Sequence, residues 1–490
     1  MTAPAAITCT ATNAAARQWL DELNGPGSGS LRQPAHLATL SLGDPVTCTL
    51  GASSFTWYVE QLVTDVIGEP GTLWVTASGR GPISRLENGI VWPRGMDPDD
   101  GIPVAQSSVS DRSFHWSAPE GLTLDLGVTW DNPVAVAWAD DDTARAGYPE
   151  TWPDLDPDGL ASWIWPSPGP TTDVPAGATA YFRLAASVTT AGSYKLWVAA
   201  DNAADIYVDG RQVVSIGIDT EGGMEWMTAQ TADFDMDAGD HVIAAKVSNS
   251  TRHASGSNPA GLLLLCRRAD PEETDPTLWL PSFASDASWD CTTDEPSFAV
   301  EDIVDLLMTE SAAMGDGPLP AVTVDSELRV SRTWQIGTTL LDVMMDLVEM
   351  GATLKASGTA VALVDTPTGT AATLSGTTNC MSLSITRQAA RATKALVRSP
   401  DGWLLTGSGA ATYVEAGQSG TPTDAQAVAD AALEQMAART LVSAGDCVPV
   451  APIPTPGGTV TFPGGSGRCI SVSVTEDDAG LATYTPEVEA

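Results

Sequence analysis

The residues WQIGTTLLDVMMDLVEMGATLKASGTAVALV, Trp334 to Val364, decide how the rest of the chain is read. Thr339 stands at an N-cap position with Asp342 three residues on, so a hydroxyl and a carboxylate are on hand for the orphan N–H groups of a helix start. Polar side chains then recur only at Asp342, Asp346 and Glu349, spaced four and three, which makes one narrow wet stripe. Leu340, Leu341, Val343, Met344, Met345, Leu347, Val348 and Met350 cover the remainder, so the helix is expected to be buried on most sides. Gly351 ends it where a left-handed residue is wanted. Lys355 to Gly358 reads as a turn and Ala360 to Val364 as a strand. Nothing in the stretch is catalytic by composition; it is an assembly element.

A chain of 490 residues exceeds one hydrophobic core, and two to four domains are expected. Its 45 Gly and 34 Pro favour strands and turns over helices. The net charge of −39 repels nucleic-acid phosphate and anionic membranes, so sequence-specific nucleic-acid binding is not expected. Cysteines at 9, 48, 266, 291, 380, 447 and 469 show no CxxC and no neighbouring His, which favours buried free thiols over a zinc site or a disulfide framework. The first residues lack the basic and apolar regions of a secretory signal. The longest apolar run of note, Leu262 to Cys266, is too short to span a bilayer, so a soluble protein made in a cytoplasm is expected.

Residues 1–96 read as strands and turns: Val46–Leu50, Phe55–Val59 and Leu73–Ala77 alternate apolar and polar side chains, and a short helix ends at Gly89. Met96 to Pro103 is a polar linker. Between 97 and 295 there are 33 acidic and 9 basic residues and ten of the 16 Trp, a composition unlike either flank and best read as a separate domain. Six strand candidates (180–185, 194–199, 205–209, 212–216, 241–247 and 261–266) with turns between them predict a β-sandwich or jelly roll. After 295, an amphipathic helix over 298–314 places Val300, Ile303, Val304 and Leu307 on one face. Strands over 381–386 and 395–398, an Ala-rich helix over 423–441 and a strand over 469–474 follow.

Two flanking segments together resemble the baseplate-hub and minor tail proteins of long-tailed bacteriophages. The first is Phe55–Val59 with Leu73-Trp-Val-Thr-Ala-Ser-Gly-Arg-Gly-Pro-Ile-Ser-Arg-Leu86. The second runs from Val300–Leu307 through Gly337–Val343 to Leu383–Arg387 and Ala395–Ser399, with Asp424–Leu433 matching that family's late helix. The resemblance rests on order and spacing over roughly 1–96 and 296–490. It implies a mainly β chain with α/β elements: two small hub β-barrels with helices, interrupted by a β-sandwich. In domain terms, 1–96 is the first barrel portion, 97–275 the insert, and 276–490 the remaining hub portion with the second barrel. The insert's Ala199 to Gly210, followed by Ala238 to Ile243, is similar to the galactose-binding-like jelly rolls of protective-antigen type, which implies a glycan contact, with calcium in some members.

Asp201, Asn202 and Asp205 are the candidates to present oxygens to sugar hydroxyls or Ca²⁺. Turn capping by the same side chains is the weightier reading, because Asp and Asn bond nearby backbone N–H groups. Asp154, Asp156 and Asp158 have the DxDxDG opening of a calcium loop, but position twelve is Trp165 and Pro157 stiffens the loop, which favours an exposed acidic turn. No other cofactor is implied. Trp116, Trp130, Trp152, Trp163 and Trp165 suit stacking on sugars or, more simply, a sandwich core. Arg387, Arg391, Lys394 and Arg398 form the basic cluster, suited to an acidic neighbour, to DNA passing through a hub, or to a solvated edge. Signatures of serine hydrolases, zincins, Walker loops and dinucleotide folds are absent, and none of the four His sits beside a nucleophile and orienter.

The expected protein is a structural part of a virion's tail tip, made in the host cytoplasm. Its expected partners are copies of itself in a trimer, neighbouring distal tail and tape-measure proteins, and host-surface glycan at the insert. The competing expectation is a cell-wall glycan hydrolase using two of the 62 acidic residues.

Overall fold

The computed structural model describes residues 6–51, 53–66, 73–94, 110–137, 152, 156, 159–170, 173–217, 228–249, 259–269, 275, 279–375, 379–380, 382–388, 390–399, 402–408, 412–418, 422–437, 439–445, 447–449, 452–477 and 480–490. The chain divides into two units, one of Met1–Gly101, Ile303–Val330 and Trp334–Ala490, the other of Ile102–Asp302 with Ser331–Thr333. The fold is mainly β with a few helices.

In the first unit a twelve-stranded sheet draws on both ends of the sequence. Its order is Ile7–Cys9, Pro45–Leu50, Ser53–Val66, Leu73–Arg80, Ser28–Pro34, Ala15–Glu22, Gly465–Glu476, Ala482–Glu489, Arg439–Gly445 and Ser382–Gln388. Thr459–Phe462 pairs with Gly465–Glu476, and Ala372–Thr373 pairs with Thr459–Phe462. The join is antiparallel and runs from Gln18↔Thr475 to Glu22↔Ser471. Trp19 and Val474, cross-strand partners, are both buried, as is Val472 opposite Asp21. Asp21 is itself buried, and desolvation pushes its carboxyl up to about 7 although Lys355 pulls it down. Because these two strands spend their free edges on each other, the two β portions merge, and among the described residues no sheet closes on itself.

The stretch 334–364 folds as a helix and hairpin. Leu340–Glu349 is helical, with the Thr339 hydroxyl accepting from the Asp342 N–H at 3.1 Å and lying 2.7 Å from its carboxylate. Leu340, Val343, Met344, Leu347 and Val348 are buried. Gly351 takes φ +113°, the left-handed region that the end of the helix needs. The hairpin pairs Thr353–Ser357 with Ala360–Val364, so its turn is Gly358 (φ +62°) and Thr359, and Lys355 to Ser357 belong to a strand rather than to the turn. Val322–Asp325 adds a parallel third strand. Helix Val300–Ala313 buries Val300, Ile303, Val304 and Leu307 as the pattern predicts. The late helix is shorter than expected, Pro422–Met436. Arg439–Gly445, with β-branched Thr440 and Val442, pairs instead with Ser382–Gln388.

One polar knot fixes the segment after the short helix Pro82–Asn88. The Leu340 N–H donates to the Gly89 carbonyl at 2.9 Å, and Val91 exchanges bonds with Gly337 and Thr338. A Cβ at Gly89 would lie 2.6 Å from Leu340 Cδ1 and 2.7 Å from Ser311 Oγ, so any larger residue would have to displace those side chains. Asp316 Oδ2 accepts from Trp92 Nε1 at 2.7 Å, from Ser311 Oγ at 2.5 Å and from the Ile90 N–H at 3.3 Å.

In the second unit two antiparallel sheets face each other. One has the order Arg211–Ile216, Ala203–Val208, Gly239–Ser248, Thr179–Val188 and Asp290–Thr292. The other runs Gln230–Met236, Gly192–Asp201, Gly261–Arg268, Ser162–Trp165 and Val134–Ala137, with Ser282–Ala284 also on Gly261–Arg268. Phe182, Ile206, Ile243 and Val247 meet Leu196, Val198, Leu262 and Leu264 in the core between them. Leu263 and Leu265 point the other way, into a cluster with Trp152, Trp163 and Trp197. Burial on both faces is why Leu262 to Cys266 reads as an unbroken apolar run.

Asp316→Ala removes the shared acceptor of Trp92 Nε1 and Ser311 Oγ, while the Ile90 N–H keeps Ser311 Oγ at 3.3 Å, and a loss of about 1–3 kcal/mol is expected in chemical denaturation of the first unit. An unchanged unfolding midpoint would show that the knot contributes nothing.

Candidate functional site

One end of the sandwich gathers the polar loops. Gly192–Asp201 ends where Ala203–Val208 begins, so the chain crosses between sheets at Asp201 and Asn202, both buried. Asn202 donates from Nδ2 to Asp201 Oδ1 at 2.6 Å and from its backbone to the Ser248 carbonyl at 3.2 Å. Beside Ser248, Asn249 donates from Nδ2 to the carbonyls of Val174 and Pro175 at 3.0 and 3.3 Å. Its Oδ1 is buried and lacks a hydrogen-bond partner among the described residues. Asn249 is not among the sequence candidates, and the signal for it is a Ser-Asn pair directly after the expected strand 241–247.

Asp205 lies elsewhere, on the outer face of the five-stranded sheet. It sits opposite Lys246, and its Oδ1 accepts from Gln212 Nε2 at 2.6 Å. Lys246 in turn lies 6.0 Å from the Tyr181 ring, within reach of a cation–π contact. His115, Trp116, Tyr181 and Tyr207 form an aromatic group on that unit, with His115 and Tyr207 rings 4.8 Å apart. Burial, with Lys246 nearby, holds the His115 imidazole down to about 3, so it is neutral. The structure thus brings Asp201 to Asn202 and leaves Asp205 with another set of neighbours.

Asp154 and Asp158 lie outside the described residues. Asp156 is fully buried, and its two carboxylate oxygens accept from the backbone N–H groups of Leu160 and Ala161, both at 2.9 Å. The Arg267 guanidinium lies 3.8 Å away. Such a carboxylate clasps its own loop. Among the described residues, no group of three or more His, Cys, Asp or Glu is arranged to hold a metal ion.

Trp116, Trp152, Trp163 and Trp165 are buried, while Trp130 carries the Arg183 guanidinium 4.1 Å above its ring. Arg391 and Arg398 are exposed. In the first unit a groove of about 530 Å³ follows the join between the two ends of the sequence, lined by Gln18, Ser30, Glu60, Gln61, Ser78 and Arg80. Arg80 is already held by Glu60 at 3.1 Å and Glu87 at 2.6 Å. No helix among the described residues is long and apolar enough to cross a membrane.

His241 and Asp209 form a closely paired titratable site. Asp209, at φ +50°, accepts from the Val242 N–H at 2.9 Å and pairs with His241 Nδ1 at 2.5 Å. His241 Nε2 lies 2.8 Å from the Asp237 carbonyl. Both ring nitrogens therefore face acceptors, which only the imidazolium satisfies. Burial opposes that charge, but the Asp209 bond and the nearby carboxylates outweigh it, and the pKa is raised.

No protein-family model matches the sequence, and no curated protein does. Among solved structures the chain is similar to the 43 kDa tail protein of prophage MuSo2 from Shewanella oneidensis. The identity is 9%, 99% of this chain and 97% of that one are covered, and the TM-score is 0.42. For the tail protein from Neisseria meningitidis MC58 the identity is 8%, the coverage 99% and 97%, and the TM-score 0.41. A lectin from Pleurotus ostreatus in complex with GalNAc is similar over 33% of this chain and 39% of its own, at 18% identity and a TM-score of 0.21.

A histidine whose folded pKa exceeds its unfolded value of about 6.5 stabilises the fold below that value, and the contribution disappears as pH rises through the folded pKa. Melting temperature is therefore expected to fall as the solution is taken from mildly acidic to alkaline, and His241→Ala to flatten that slope. Identical slopes in the two proteins would remove the pair from the account of stability.

Proposed function

We propose that the chain is a structural component of a bacteriophage tail tip, a hub-like scaffold carrying an added β-sandwich. The observation that carries this reading is the pairing of Ala15–Glu22 with Gly465–Glu476. Strands from both segments that resemble tail-hub proteins, Phe55–Val59 and Leu73–Arg80 of the first and Leu383–Arg387 of the second, belong to one sheet, so the scaffold is continuous whatever lies between them. The insert, expected from the sequence at 97–275, extends in this reading to Asp290–Thr292, the last strand of its five-stranded sheet.

The scaffold assembles with further copies of itself, as a trimer, and with neighbouring distal tail and tape-measure proteins in the virion. A chain of net charge −39 resists self-association unless the contacting faces are apolar or neutralised. Trp403 and Leu405, 56% and 58% exposed, occupy alternate positions of the edge strand Gly402–Gly407 and so share one face. The sandwich contacts host-surface glycan, with no bond-breaking step, at the loop end that buried Asp201, Asn202 and Asn249 hold in shape from within.

Light scattering on the purified protein, alone and with neighbouring tail proteins, tests the assembly role. Self-association is expected, weakened at least tenfold in the double variant Trp403→Ala, Leu405→Ala. A strictly monomeric protein that joins no tail partner would overturn the hub reading. Incubation with purified host wall is expected to give retention without release of reducing sugar; release would favour a hydrolase.

A further inference from the structure

Cys9 and Cys48 are direct cross-strand partners in the pairing of Ile7–Cys9 with Pro45–Leu50, and their sulfur atoms are 3.3 Å apart. The Thr10 N–H donates to the Thr47 carbonyl at 3.0 Å, so the ladder bond falls on the next position and the cysteines occupy a non-hydrogen-bonded pair. Facing Cα atoms at such a site stand about 4.5 Å apart, inside the span of a disulfide. The local chain is also held. Arg17 donates from Nη1 to the Ile7 carbonyl and from Nη2 to the Ala14 carbonyl, each at 2.6 Å, bracketing the segment that carries Cys9.

Access and reactivity differ between the two sulfurs. Cys9 is half-buried and Cys48 buried. Cys48 donates its S–H to Cys9. That bond, with smaller help from the Ala11 backbone and Arg17, outweighs partial burial and brings the Cys9 thiol down to about 7; the same bond keeps the proton on Cys48. A thiolate that solvent reaches, backed by a second sulfur in contact, is the arrangement of a reactive and a resolving cysteine. Cys380 and Cys447 are nearer still, at 2.7 Å, but both are buried.

We propose that Cys9 and Cys48 form a redox-closed pair that a low-molecular-weight disulfide converts to a cross-strand disulfide. The Cys9 thiolate attacks one sulfur of oxidised glutathione, forming a mixed disulfide and expelling one glutathione thiolate. Cys48, no longer donating to a thiolate, then loses its proton and attacks the Cys9 sulfur, expelling the second glutathione. Two protein thiols are oxidised and one glutathione disulfide is reduced to two thiols. The product fastens the edge strand of the twelve-stranded sheet to its neighbour.

The test treats the full chain with oxidised glutathione and maps its peptides without reduction. A linked Cys9–Cys48 peptide is expected as the main new species, with a rise in melting temperature of several degrees that dithiothreitol reverses. Cys9→Ser is expected to show neither change. Cys48→Ala is expected to stop at a mixed disulfide on Cys9, which separates the two steps even where one variant folds poorly. An unmodified Cys9, a mixed disulfide that persists in the unaltered protein, or a link joining other cysteines would overturn the proposal.

Discussion

Five facing residue pairs, Gln18↔Thr475 to Glu22↔Ser471, hold together what the linear sequence keeps furthest apart. Without them the first six strands of the large sheet and the strands after residue 381 would each present a free edge next to buried Trp19, Val472 and Val474. An unpaired edge beside an apolar surface is a hazard as well as a loss of hydrogen bonds. The join also explains why a carboxyl is tolerated inside. Asp21 bears the cost of desolvation, yet it sits opposite Val472 within the register, and the charge of Lys355 offsets part of that cost.

A sheet sewn from its two ends is indifferent to the length of what separates them. The knot of Gly89, Trp92, Ser311, Asp316 and Leu340 supplies the matching local condition, since it ties residues before the middle third to residues after it. The sandwich meets its own needs. It has a core between its sheets and a second cluster of Trp152, Trp163 and Trp197 on the far side of Gly261–Arg268.

Much of this was legible in the sequence where local and global signals agree. The Thr339 cap, the buried helix face and Gly351 are visible in 334–364 because capping, period and turn chemistry coincide. All six strands expected in the sandwich are present, each longer by one or more residues at an end. Gln230–Met236 was not legible, since its sequence, QTADFDM, puts acidic residues on an edge strand that needs pairing on one side alone. The turn at Gly358 was read too early because Lys355 and Ser357 look polar enough for a loop, while their register opposite Ala362 and Ala360 is a tertiary fact. The candidate site was legible only in part. Adjacent Asp201 and Asn202 were visible, but their distance from Asp205's surroundings and the convergence of Asn249 depend on which strand ends meet.

The join has a further consequence, and it concerns time. Arg17 and Glu476, hydrogen-bonded across it, are 459 residues apart. At ordinary rates of synthesis that interval is roughly 20–90 s, during which Ala15–Glu22 has no partner on one side. The sandwich is complete long before, because even Arg183 and Asp290, which close it, are 107 residues apart. The waiting strand carries Arg17, Gln18, Asp21 and Glu22, charges and an amide that discourage a premature neighbour. Its composition suits a strand that must stay unattached on the ribosome until the last strands emerge.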